Sequence, residues 1–196
     1  LTLFWTQITI PGRPKLLVID IQTGHPRPDE NLCDKIFNVL SRKGVPLSSK
    51  EPSRVSGPDQ LAETITTNLD FNCMLLVCES DRQDTHPTYT PKDYWNWLST
   101  YRGLPAVLLA ICTPNTYDEQ MSNAVLEGQE SFAQIAVAPK STLSVRASGL
   151  FYMKFFTELD LHAHDSITGK MVWFSHSKAR EILRRRKLEG QVGIRC

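Results

Sequence analysis

Four short runs of almost unbroken apolar residues punctuate this chain: Leu16 to Ile21, Met74 to Cys78, Ala106 to Cys112 and Phe132 to Val137. Each is too short for a helix and too uniformly apolar for a strand with one wet face. That is the pattern of strands in a parallel sheet covered on both sides. Stretches of mixed polarity and helical length separate them. Leu32, Ile36, Val39 and Leu40 make one helical face, with Asp29 as its cap and Gly44 as its stop. Leu61, Ile65 and Leu69 mark a second helix. Pro91 fits the first turn of a third, whose aromatic face is Tyr94, Trp95, Leu98 and Tyr101. Asp118 to Glu127 reads as a fourth, with Met121, Ala124 and Val125 inward and Gly128 as its stop. Two longer helices follow, Val145 to Leu159 and about Ile167 to Leu188.

Weaker signals fill the gaps. Thr2 to Ile10 alternates loosely and reads as an edge strand, closed by Pro11, Gly12 and Pro14. Val45 to Leu47 is a short strand candidate broken by Pro46, and Ser48 to Pro58 reads as a polar loop. The alternation of strand and helix, ending in helices, predicts an α/β fold: a three-layer αβα sandwich with a mainly parallel sheet and right-handed crossovers. Residues 1–14 form an N-terminal edge segment and residues 15–196 a single domain. A chain of 196 residues buries roughly 70% of its unfolded surface and needs no metal or disulfide to hold a core. No cofactor or metal is predicted.

The net charge of +1 argues against a nucleic-acid footprint spread over the surface. Basic residues cluster at Arg184 to Lys187, where they either solvate a last helical turn and suit its dipole or meet a phosphate or acidic partner. The five cysteines, Cys33, Cys73, Cys78, Cys112 and Cys196, have no metal-ligand spacing and read as reduced, cytoplasmic thiols. No apolar run approaches the roughly 20 residues that span a bilayer. The first ten residues lack a signal-peptide shape and an initiator Met, so the chain reads as a domain of a longer polypeptide.

In open parallel sheets, ligands gather at the carboxyl ends of the strands. Cys112 ends one run, and Cys78 ends another, followed by a loop with Glu79, Ser80, Asp81, Arg82, Asp84 and His86. Cys112 reads in two ways, as a small buried hydrophobe or as a thiol activated by the backbone N–H groups of a helix starting near Tyr117. His86 is either a surface loop histidine or the base that reaches Cys112. Glu79 and Asp81 are either solvated strand-end acids or a cation or arginine contact. His162 and His164 alternate in a loop between helices, and two such histidines without a third ligand do not make a metal site. Tyr94, Trp95, Trp97 and Tyr101 suit core packing better than stacking on a ring.

The ordered series of runs resembles the CHAT family of caspase-like domains. In that family one strand ends in a His-Gly pair, the next in an Ala-Cys-like pair, and a helix containing Phe-Tyr comes later. Ala106 to Cys112 resembles the cysteine-bearing strand, Phe132 to Val137 the strand after it, and Gly149 to Leu159, with Phe151 and Tyr152, the helix. Lys178, Ala179 and Arg180 resemble the Ala-Arg ending of the last one. The likeness spans about residues 15 to 187. Where the family carries His-Gly, this chain has Cys78, Glu79, Ser80 and Asp81, so the general-base histidine is absent from its usual position.

The resemblance implies a caspase-like fold and a signalling or protein-interaction module, catalytically impaired, with a protein or peptide partner and neither nucleic acid nor membrane. An alternative keeps cysteine peptidase activity, with Cys112 as nucleophile and the displaced His86 as base. Leu16 to Gln22 also resembles the opening of isochorismatase-like cysteine hydrolases, in which an aspartate, here Asp20, partners a lysine and a cysteine. The lysine strand of that family is not found here. A plain strand-end aspartate is the competing reading of Asp20.

Overall fold

A computed structural model describes residues 8–22, 31–78, 107–112, 133–139, 144–188 and 192–195. The elements in chain order are β1 (Thr9–Pro11), β2 (Leu16–Ile21), α1 (Leu32–Arg42), β3 (Ser53–Val55), α2 (Pro58–Thr67), β4 (Cys73–Cys78) and β5 (Val107–Cys112). They continue with β6 (Ala133–Pro139), α3 (Val145–His162), β7 (Ser166–Thr168), α4 (Gly169–Arg185) and β8 (Val192–Arg195). The Asp29 cap, the helices expected near Pro91 and Asp118, the Glu79 to Asp84 cluster, His86 and Cys196 lie outside the described residues.

Six strands make one sheet in the order β3-β2-β4-β5-β6-β8. Every neighbouring pair is parallel except β6–β8. All side chains of β2, β4 and β5 are buried, which is why the sequence shows continuous apolar runs there and no alternation. Alternate residues go to opposite faces. Leu16, Val18, Leu75, Val77, Leu108 and Ala110 meet α1, α3 and α4, while Leu17, Ile19, Met74, Leu76, Leu109 and Ile111 meet Leu61 and Ile65 of α2. Cys73 and Cys78 fall into opposite layers, as their spacing requires. The mixed α/β architecture with a mainly parallel sheet covered on both faces agrees with the sequence reading.

Local chemistry sets the helix ends. Asn31, and not Asp29, caps α1 by accepting the Asp34 N–H at 2.8 Å. At the other end Gly44, at φ 76°, turns the chain. Val45 N–H then bonds Leu40 O and Gly44 N–H bonds Ser41 O, the paired bonds of a Schellman stop. α4 ends on the same bonds, Leu188 N–H to Leu183 O and Lys187 N–H to Arg184 O, with Lys187 at φ 53° in the glycine's place. Ser144 and Thr168 cap α3 and α4.

The structure corrects several expectations. Residues 53–55, within the stretch expected to be a polar loop, form edge strand β3. Leu47 contributes only an isolated bridge to Leu16, so no strand runs from Val45 to Leu47. Leu69 lies beyond the end of α2 and is exposed. His162 is the last residue of α3, not part of a loop. The chain does not end in helices, because β8 adds an antiparallel edge. β1 pairs with β7, whose Ile167 and Thr168 come from the start of the expected last helix.

Candidate functional site

The carboxyl ends of β2, β4 and β5 lie side by side. Asp20 pairs in register with Val77, and Val77 with Cys112. In parallel strands that places the three in one row on the face toward α1 and α3, with strand tips pointing the same way. The order reverses between β2 and β4, the first and third strands of the main sheet. Such a switch point opens a crevice at the strand ends. Among the described residues, the row itself carries the thiol of Cys112 and the carboxylate of Asp20, while Cys78 ends β4 on the opposite face.

Cys112 is fully buried in the layer between sheet and helices. Tyr152 of α3 reaches the same spot and donates its hydroxyl to the carbonyl of Ile111. Burial, and to a lesser degree the neighbouring Cys112, pushes the Tyr152 phenol well above its ordinary pKa, so it remains a donor across the ordinary pH range. Phe151 and Phe155 stack beside it with ring centroids 6.0 Å apart. α3 therefore lies directly against the end of β5. Cys33 and Cys73 share the same apolar layer, and burial alone drives the Cys73 thiol far upward.

Asp20 is also buried, at 4% exposure, but it sits in a polar cluster. Asn31 donates to its carboxylate at 2.8 Å while accepting the Asp34 N–H with its own oxygen. Arg54 of β3 brings its Nε to 3.8 Å from Asp20 and its Nη2 to 3.3 Å from Asp34. A cavity of about 550 Å³ opens beside Asp34 and Arg54, against Ser53 and the loop from Ser49 to Pro52. Asn31 and Arg54 were missed as site residues in the sequence. The first had a readable signal, since an asparagine directly ahead of an apolar helical run is a good cap. The second had none, because its strand is three residues long.

Burial raises the Asp20 pKa, while hydrogen bonds from Asn31 and Gln22 and the charge of Arg54 only partly oppose it and Asp34 adds to it. The folded state therefore holds the Asp20 proton more tightly than the unfolded state. Its stabilising effect is full below the ordinary carboxylate range and is lost as pH rises through the folded-state value. Asp20→Asn keeps an oxygen for Asn31 and removes the charge. We expect it to raise stability at neutral pH and to flatten that decline, as read by urea unfolding across about pH 4 to 8. A destabilised variant with an unchanged slope would contradict this account.

His162 and His164 do not converge on a ligand set. His162 packs its ring edge-on against Phe174 at 4.8 Å and lies 3.7 Å from Glu158. Among the described residues no group of three or more His, Cys, Asp and Glu side chains could hold a metal ion, and no helix is long and apolar enough to cross a membrane. Neither a family model nor a curated protein matches the chain.

Proposed function

We propose that this chain is a caspase-like domain, related to the CHAT family, that serves as a protein-interaction or signalling module and is catalytically impaired. The observation that carries this reading is the full burial of Cys112 at the end of β5, beside a β4 whose last residue is Cys78 and not histidine. A nucleophilic thiol needs access to a carbonyl carbon and a nearby base. Here Cys112 has no exposed surface and is enclosed in the layer that holds Phe151, Tyr152 and Phe155. The scaffold is kept in this reading and its surfaces engage a protein or peptide partner.

A second reading draws support from the strand register. The loop bearing His86 leaves β4 next to the end of β5, since Val77 lies opposite Cys112. A peptidase on this scaffold would attack a peptide carbonyl with the Cys112 sulfur after His86 takes its proton, and then return that proton to the leaving amine. The hydrolase reading of Asp20 ranks below both, because Val77 stands between Asp20 and Cys112 in the row and Asp20 is engaged by Asn31 and Arg54.

Labelling with iodoacetamide followed by peptide mass analysis separates the two. For an impaired module, Cys112 reacts no faster than the buried Cys73. Both are slowed about 10³-fold relative to the urea-unfolded chain by an opening free energy of about 4 kcal/mol. Fast, pH-dependent modification of Cys112 that disappears in His86→Ala would overturn impairment in favour of the peptidase.

A further inference from the structure

The exposed face of α4 combines features that the core does not require. Val172, Ser175, Ala179 and Leu183 form its buried stripe. On the opposite arc, Trp173 is 61% and Phe174 37% exposed, and Leu161 at the end of α3 is 58% exposed. The His162 ring meets Phe174 at 4.8 Å, which joins the end of α3, where Leu161 stands, to the turn of α4 that carries Trp173. Lys178 Nζ lies 5.4 Å from the same Phe174 ring.

Charge is concentrated on the same element. Residues 169–187 carry seven Lys and Arg side chains against the single carboxylate of Glu181, while the whole chain sums to only +1. The remainder is thus net −5, a strong separation of charge within one molecule. At 3.6 residues per turn, Lys170, Lys178, Arg180, Arg184 and Arg185 share the arc of Trp173 and Phe174. Glu181 is already engaged by Arg185 and lies 3.9 Å from Lys178. A cationic arc with large apolar side chains at one end matches a polyanionic surface that also has an apolar interior.

We infer that this face, centred on Trp173, Phe174 and Leu161 and flanked by the α4 cations, docks on an anionic lipid surface. Charge complementarity selects a polyanion. The apolar part selects among polyanions: Trp and Phe settle at the headgroup level and Leu161 inserts beside them. Leu161 has no ring to offer a base as a stacking platform, whereas the acyl boundary takes aliphatic and aromatic side chains alike. The lack of a spanning helix among the described residues bears on crossing a bilayer and not on lying against its headgroups. The inference does not rest on the caspase-like reading and uses neither Cys112 nor His86.

The test is sedimentation of the full chain with phosphatidylcholine vesicles, with and without about one-third phosphatidylserine. Anionic vesicles are expected to bind at least about 10-fold more tightly, with the difference lost near 0.5 M salt. Trp173→Ala should weaken binding about 10-fold and the pair Arg184→Glu, Arg185→Glu about 100-fold or more. All three positions are exposed, and unchanged urea unfolding of each variant shows that the fold is kept. No binding to either vesicle, equal binding to both, or Trp173→Ala binding like the parent would overturn the proposal. So would Trp173-dependent binding to a thymidine oligonucleotide with none to vesicles.

Discussion

Phe151→Ala is expected to lower the unfolding free energy by about 3–5 kcal/mol, the upper range for a single truncation in a core. Phe151 is fully buried in the layer between the sheet and α1, α3 and α4. Its ring meets Tyr152 at 5.1 Å, Phe155 at 6.0 Å and His176 of α4 at 5.5 Å. Truncation removes one large apolar side chain and strands three rings around a void too enclosed to collapse. Domains of this kind hold about 5–15 kcal/mol in all, so the loss is a large fraction. With a urea m-value of about 2 kcal/mol/M, the midpoint should fall by on the order of 2 M with m unchanged. A shift below about 0.5 M would mean that the aromatic layer is not the packing centre that its burial indicates.

Tyr152→Phe should cost about 1–3 kcal/mol. The ring stays and the cavity is small, but the Ile111 carbonyl loses the hydroxyl that donates to it. Ile111 immediately precedes Cys112, so the bond ties α3 to the end of the cysteine strand. The consequence reaches beyond stability: loosening this tie should speed local opening at the strand tip. In the iodoacetamide experiment, Cys112 should gain reactivity in Tyr152→Phe relative to Cys73, which sits at the far end of β4. Equal gains at both thiols would show global destabilisation alone. An unaltered stability would mean that another donor replaces the hydroxyl.

The central sheet was legible because β2, β4 and β5 are buried on both faces, and double burial leaves a run that polarity cannot interrupt. β3, β7 and β8 were not. Each has only three or four residues, and β3 carries the exposed Arg54 at its middle. Edges of that length have no period to read, and only pairing with β2, β1 or β6 makes them strands. The placement of Cys112 at a strand tip followed from the run alone. Its complete burial agrees with one of the two readings the run allowed, and α3, arriving from well downstream in the chain, decides between them. Asp20 read as a plain strand-end acid because its partners, Asn31 and Arg54, reach it through chain folding and not through spacing.

The ribbon of β1 and β7 joins residues 9–11 to 166–168. Arg13 adds a two-pronged clasp on Asp160, through bonds of 2.8 and 2.9 Å. On a ribosome making about 5–20 residues per second, the front of this ribbon waits roughly 10–30 s for its mate to be synthesised. β1 therefore remains unpaired until residues 166–168 have emerged, while β2, β3 and β4 assemble behind it. Closure of the ribbon is a late latch, and nascent chains halted before Ser166 should leave Thr9 to Pro11 open to proteases.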